Sequence, residues 1–265
     1  AVAVQNPLTS LEDDVAAANR IINAQTGPVV LVGHSWGGAV ITQAGGHDKV
    51  KSLVYVAAFA PTLGAHSAAD TTAFPAPPGF AHFIADADGF LTLPADAIAR
   101  DFAQDISAED ANLIHATQGP VRGANFEQPV SVAAWTGKPS WYIVAGQDRM
   151  IDPGAQRALA KKIGATTTEV PTSHVPMVSS PEAVAKVIEV DKAGKIIWSW
   201  QAPGDLSKRR LYQAWRLPNG NTRMTISDPG EIVEVNPKGE VVRSIGGTKM
   251  DIQMGWTSGH DQFPN

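Results

Sequence analysis

One stretch constrains the architecture more than any other: Pro28 to Gly46, PVVLVGHSWGGAVITQAGG. An aliphatic run, Val29 to Val32, enters Gly33-His34-Ser35-Trp36-Gly37-Gly38, and a helix-compatible Ala39 to Ala44 follows without a spacer. A strand turning this abruptly into a helix crowds the positions two before and two after the serine, so glycine is expected there because a Cβ would clash. The turn lifts Ser35 off the sheet edge at a helix N-terminus, where amide N–H groups and the helix dipole favour developing negative charge. G-x-S-x-G by itself is a weak signal. Its setting between strand and helix makes Ser35 a candidate nucleophile rather than an incidental turn residue.

From about Ser10 to Val187 the chain alternates short apolar runs with amphipathic segments, the pattern of a helix-covered parallel sheet. Ser10 is expected to cap a helix carrying Leu11, Val15, Ala18 and Ile22 on one face, with Glu12, Asp13 and Asp14 in the first turn where the dipole favours them. Leu53–Ala57 and Trp141–Ala145 are continuous apolar runs, as strands buried on both faces require, and Thr167–Val170 is a weaker fourth strand. Between the second and third strands, Pro61 to Trp135 is rich in alanine and proline. With helices expected around Asp96–Gln104 and Ala108–Thr117, it reads as an inserted cap.

A serine hydroxyl is a poor nucleophile at neutral pH and needs a histidine base oriented by an acid. Gly146-Gln147-Asp148 follows the Trp141–Ala145 run directly, which puts a carboxylate at the carboxyl edge of the sheet. Ser173-His174 follows Thr167–Val170 and precedes a helix near Ser180-Pro181, which puts His174 at the same edge. The chain order is Ser35, Asp148, His174. Asp152, followed by proline, fits a helix start better than an orienting acid. His34 is expected to pack between strand and helix; His47, His66, His82 and His115 fall in loops or the cap. No H-E-x-x-H or other metal-ligand spacing is present, so neither a metal nor another cofactor is expected.

Composition excludes several classes. A net charge of -5 gives no reason to expect nucleic acid or an anionic membrane as partner, and Lys208-Arg209-Arg210, the only basic run, reads as solvated surface. The absence of cysteine removes disulfides, thiolate metal sites and a cysteine nucleophile. The longest apolar run, Leu53 to Ala60, is far short of the roughly 20 residues of a membrane-spanning helix. AVAVQNPL has no basic n-region, so no signal peptide is expected and the default compartment is cytoplasmic.

After Val187 the texture changes to short strands punctuated by Gly, Pro and Asn. EVDKAGKIIWSW, Glu189 to Trp200, aligns with EVNPKGEVVRSI, Glu234 to Ile245, at an offset of 45 residues, and RLPN at Arg216 to Asn219 is echoed by QFPN at Gln262 to Asn265. That period belongs to propeller blades and similar arrays. His260-Asp261 falls within the repeat. Two domains are therefore expected, 1–187 with its cap at about 61–135, and 188–265 as incomplete β-propeller-like repeats.

On GPVVLVGHSWGGAVIT, VKSLVYVAAFAP, WYIVAGQDRMIDP and SHVPMVSSPEAVAKVI, residues 1 to about 187 resemble a small bacterial α/β-hydrolase of the esterase type, similar in pattern to plant methylesterases and hydroxynitrile lyases. VDKAGKIIWSW, LPNGNT and EVNPKGEVV resemble an arylsulfotransferase-like or quinoprotein-like β-propeller. The resemblance implies an α/β fold with a mostly parallel sheet and helical cap, followed by a small all-β segment. It also implies cleavage of a small-molecule carboxylic ester by Ser35, His174 and Asp148, with the Trp36 amide as an oxyanion donor and candidate pocket residues His34, Phe59, Phe80, Phe102 and Trp135. Family members carry further strands ahead of the serine, the third supplying a second oxyanion donor. Their absence here is expected to leave Val29–Val32 as an open edge inviting self-association, with Ala1–Gln5 resembling the family's fourth strand. A triad used for lyase chemistry and an inactive fragment or fusion offering a β-repeat binding surface are the alternatives.

Overall fold

The computed structural model describes residues 2–184, 187–190, 196–200, 211–226 and 231–246. Lys208–Arg210, His260-Asp261 and Gln262–Asn265 lie outside them. The chain divides into two compact units, one spanning Val2–Ser179 and the other beginning at Ser180.

In the first unit, helix α1 (Leu11–Ala24) starts where Ser10 accepts the Asp13 N–H at 3.0 Å. Asp14, in the first turn as expected, is also fully buried and accepts the Leu8 N–H at 2.8 Å and the Trp36 indole N–H at 2.7 Å. Strand β1 (Val29–His34), helix α2 (Gly37–Ala44) and strand β2 (Val50–Val56) follow. The cap contributes short strands β3 (Ile84–Ala85) and β4 (Phe90–Thr92), then α3 (Ala95–Ala97), which runs into a π-helical turn at Ile98–Phe102. Helix α4 (Ala108–Thr117), capped by Ser107, and strand β5 (Val121–Arg122) close the small antiparallel sheet β3-β4-β5. The chain returns through β6 (Ser140–Ala145), α5 (Pro153–Lys162), β7 (Thr166–Val170) and a short α6 (Pro176–Ser179).

Strands β1-β2-β6-β7 form a four-stranded sheet, parallel throughout. His34 is level with Val56, Val56 with Ile143, and Ala145 with Val170, so all four strands open at one carboxyl edge. Leu11, Ile22, Val40, Ile41, Leu53, Tyr55, Tyr142 and Leu159 form the core between sheet and helices. A second cluster joins Leu93, Ile98 and Phe102 of the cap to Met150 and Val175 of the loops beyond β6 and β7.

Among the described residues β1 is an edge strand, and Val32 within it is 63% exposed. Of the strand read over Ala1–Gln5, the described part, Val2–Gln5, is irregular chain. Nearby Leu8, at φ 60°, gives its N–H to Asp14 and its carbonyl to Arg122 and Asn125, which commits this segment to a turn instead of a ladder.

In the second unit α7 (Pro181–Val184) precedes a hairpin of β8 (Val187–Val190) and β9 (Ile196–Trp200). An antiparallel meander follows: β10 (Leu211–Arg216), β11 (Thr222–Ile226), β12 (Glu231–Val235) and β13 (Val241–Gly246). The sequence repeat is also a structural one. Ile188 pairs with Ser199, Glu189 with Trp198 and Val190 with Ile196; the residues 45 further on pair as Val233 with Ser244, Glu234 with Arg243 and Val235 with Val241. Both hairpins carry their register shift at the same place, Glu189/Val190 and Glu234/Val235. A closed propeller is not among the described elements.

One buried carboxylate ties the cap to the loop beyond β6. Asp101, in the π-helical turn, accepts from Arg149 Nε at 2.7 Å and Arg100 Nε at 2.9 Å, with His82 Nε2 at 3.7 Å. Burial alone would raise its pKa, but the two guanidinium bonds outweigh that and hold the carboxyl below its usual range. A lowered folded value means stability that is present above the unfolded carboxylate value, about 3.9, and lost as pH falls through the folded one. Asp101→Asn is expected to cost about 1–2 kcal/mol at pH 7, because both arginines are half-exposed. In thermal melts across pH, the gap between wild type and variant should stay constant above about pH 5 and shrink below about pH 4.

Candidate active site

The first candidate residue sits where β1 becomes α2. Ser35 has φ 52°, a left-handed conformation costing a non-glycine residue about 1–3 kcal/mol unless its surroundings impose it. They do so through the backbone: Ser35 N–H bonds to Val56 O at 3.2 Å, and Ser35 O accepts from Gly38 N at 3.0 Å and Phe59 N at 3.2 Å. A Cβ on Gly33 would overlap the Gly37 carbonyl, and one on Gly38 would overlap the Phe59 carbonyl, whereas Gly37 has open space around it. The sterically required glycines are therefore Gly33 and Gly38. The second is one position later than expected, because the close approach is to the loop after β2 rather than within the turn.

That loop is braced from below. Ala57 is left-handed too, at φ 43°. The Tyr142 hydroxyl accepts the Ala58 N–H at 3.1 Å and donates to the Ala58 carbonyl, fixing both faces of one residue. Tyr55 stacks on Tyr142 with centroids 6.0 Å apart and shares a 2.9 Å hydrogen bond with Thr42 of α2. Trp36 is buried by its indole, which bonds to Asp14 and meets Phe126 edge-on at 5.3 Å, while its backbone amide lies at the N-cap position of α2.

Asp148 and His174 are both buried, and His174 Nδ1 lies 2.7 Å from Asp148 Oδ2. Every Asp148 acceptor is engaged. Oδ1 takes the Met150 N–H at 2.7 Å and the Ile151 N–H at 3.0 Å, and Oδ2 takes the Gln156 amide at 2.6 Å besides the histidine. A carboxylate so supplied with donors is an acceptor only, which assigns the shared proton to Nδ1 and leaves the lone pair on Nε2. Neither the Ser35 hydroxyl nor His174 Nε2 has a hydrogen-bond partner among the described residues.

His34 does not pack between strand and helix as expected. It is half-buried, its ring lies 4.7 Å from that of His174, and its Nε2 is 2.7 Å from the His174 carbonyl. A carbonyl only accepts, so Nε2 carries the proton. Burial, reinforced by the neighbouring His174, pushes the His34 pKa down to about 3, and the ring is a neutral donor at ordinary pH.

The remaining pocket candidates separate. Phe102 meets His174 edge-on at 5.0 Å and His34 at 6.4 Å. Phe59 is buried against Phe126 beside the serine turn. Phe80 is exposed and meets Phe83 edge-on at 5.5 Å; Trp135 packs on the main core, bonds to Pro61 O and lies under the Lys162 ammonium at 5.6 Å. Asp152 caps α5 by accepting the Ala155 N–H at 3.0 Å, as its proline neighbour implied. Among the described residues no group of three or more His, Asp or Glu side chains is gathered to hold a metal ion, and no helix is long and apolar enough to cross a membrane.

Sequence reasoning missed Gln156, Tyr142 and Asp14 as supports of this site. Gln156 was the most accessible: a polar residue on the buried face of α5, with Leu159 and Ala160, needs a partner. It finds Asp148, Ile151 O and the Ala145 N–H.

Residues 5–187 match the sequence profile described as the alpha/beta hydrolase family. A curated relative, "Probable hydrolase R7" of a Phoma species, is 28% identical over 202 residues, which cover 69% of this chain and 78% of that one. Among solved structures, polyneuridine aldehyde esterase superposes with a TM-score of 0.58 at 19% identity over 69% of this chain and 82% of its own. A methylesterase from Arabidopsis superposes with a TM-score of 0.54 at 19% identity over 68% and 76% of the two chains. At these identities the superpositions establish the fold.

The corrected glycine assignment is open to a direct check by chemical denaturation. Gly38→Ala is expected to destabilise by at least about 2 kcal/mol because a backbone carbonyl blocks the new methyl. Gly37→Ala, in open space at the start of a helix, is expected to be neutral or stabilising by up to about 1 kcal/mol.

Proposed function

The chain belongs to the alpha/beta hydrolase family, and on that premise we propose that it is a serine hydrolase that cleaves a carboxylic ester through an acyl-enzyme. The observation that carries this reading is the buried 2.7 Å bond between His174 Nδ1 and Asp148 Oδ2, at the same sheet edge as the left-handed Ser35. With its proton on Nδ1, His174 presents a basic Nε2. As Ser35 Oγ bonds to the ester carbonyl carbon, its proton passes to Nε2 and the carbonyl oxygen becomes an oxyanion, which the Trp36 amide helps to hold. Asp148 stays ionised and stabilises the imidazolium. Collapse of the intermediate breaks the C–O bond and returns the proton to the leaving alkoxide, giving an alcohol and an acyl-serine. Water then repeats the sequence, losing its proton to Nε2 and releasing the acid.

Phe102 against His174 and the buried Phe59 beside the serine turn support an apolar, uncharged substrate. The similar proteins, a probable hydrolase, polyneuridine aldehyde esterase and a methylesterase, agree with ester chemistry. For the second unit, we read the meander of β10 to β13 as a blade-like repeat, supported by the shared register of the two hairpins.

The test is intact-mass analysis after a fluorophosphonate probe, followed by quenched turnover of an activated ester. One label per chain is expected in wild type and none in Ser35→Ala, with His174→Ala labelled slower by about 10⁴-fold or more. A trapped acyl-serine in the quenched sample distinguishes hydrolysis from lyase chemistry, which needs no covalent ester. Absence of label from folded wild-type protein overturns the reading.

A further inference from the structure

Four residues of one five-residue segment of the cap, Asp101–Asp105, touch the two loops that carry the proposed acid and base. The π-helical turn, in which Ala103 N–H reaches back to Ile98 O at 2.8 Å, sets Asp101 and Phe102 side by side facing the body. Such turns interrupt a helix at a cost and recur at functional sites. Asp101 accepts from Arg149, the neighbour of Asp148. Phe102 closes over the His174 ring at 5.0 Å. Gln104 Nε2 donates to Gln147 O at 2.7 Å, on the other side of Asp148. Asp105 Oδ2 accepts the Ser173 N–H at 2.7 Å, immediately before His174.

We infer that Asp101–Asp105 is a clip that sets the geometry of the acid–base pair, with Asp105 and Gln104 as positioning residues for His174 and Asp148. The inference rests on the triad proposed above. His174 is held through its carbonyl by His34, through its Nδ1 by Asp148, and through the preceding amide by Asp105. The first two come from the ends of strands β1 and β6. Asp105 belongs to the cap, so it makes the base answer to the cap's position. Gln104 does the same for the acid loop, whose own bond to the base loop runs from Gln147 N to Thr172 O at 3.0 Å. A cap seated on the body thus assembles the pair, and a cap displaced by a poorly fitting substrate loosens it. Substrate fit is thereby converted into rate, because reacting groups misplaced by about 1 Å lose on the order of 100-fold.

The test uses Asp105→Ala, Asp105→Asn and Gln104→Ala in the full chain, each checked by thermal melting. Asparagine keeps an acceptor for the Ser173 N–H; alanine does not. Asp105→Ala is expected to lower kcat for an activated ester by about 10- to 100-fold with KM within about twofold, and to slow fluorophosphonate labelling by the same factor without reducing its final stoichiometry. Asp105→Asn is expected to recover the rate to within about threefold. In proton NMR, the far-downfield Nδ1–H resonance of His174 should broaden or vanish in Asp105→Ala and persist in Asp105→Asn. Gln104→Ala, which removes the other anchor, should reproduce the kcat effect if Asp105→Ala fails to fold. Wild-type labelling rate, kcat and resonance in Asp105→Ala and Gln104→Ala overturn the clip while leaving the triad standing. Equal losses in Asp105→Ala and Asp105→Asn overturn it in favour of a charge effect. Failure of wild type to label at Ser35 removes the triad itself.

Discussion

The site depends on a backbone conformation that Ser35 would not adopt by itself. A left-handed serine between a strand and a helix costs energy locally, and every element around it supplies part of the compensation. Val56 receives its amide, Gly38 and Phe59 supply donors to its carbonyl, and Gly33 and Gly38 leave room for two backbones to meet. Below them Tyr142 grips both faces of Ala58, and Tyr55 and Thr42 tie that tyrosine layer to α2. The strained residue is held from β2, β6 and α2 together, so its geometry belongs to the sheet and not to the motif.

Three buried carboxylates show how environment separates side chains of one chemistry. Asp148 is surrounded by four donors, one of them a histidine, which suits an orienting acid. Asp101 faces two guanidinium groups and joins the cap to the body. Asp14 receives an indole and an amide N–H and anchors the residue after Ser35 to α1. None is left without partners, as burial of a carboxylate demands.

Much of the first unit was legible because its signals are local. The Ser10 cap, the Val29–Val32 run, the abrupt helix at Ala39, the Trp141–Ala145 strand and the cap helix Ala108–Thr117 each depend on periodicity or a neighbouring capping residue, whereas the helix expected around Asp96–Gln104 is three α-helical residues and a π-helical turn that ends at Phe102. The weak strand Thr167–Val170 also formed, since a sheet edge asks less of both faces. Val2–Gln5 did not become a strand: an aliphatic alternation makes a strand only where a partner edge accepts it, and Leu8 spends its backbone groups elsewhere. The repeat after Val187 was legible for a different reason. Equal residues at equal offsets imposed equal hairpin register, down to the position of the bulge.

The sequence by itself determined the strand–turn–helix around Ser35, the order of serine, acid and histidine, and the placement of all three at strand ends, because these follow from hydrophobic period, glycine placement and chain direction. Only the tertiary structure decided that Gly38 rather than Gly37 is the tight glycine, that His34 is a neutral donor to the His174 carbonyl, and that Gln156, Asp14 and the Asp101–Asp105 segment support the site. Those are contacts between residues far apart in the chain. A buried polar side chain announces that it needs a partner, but which partner it meets is settled by packing, when the sheet register and the cap bring both to the same place.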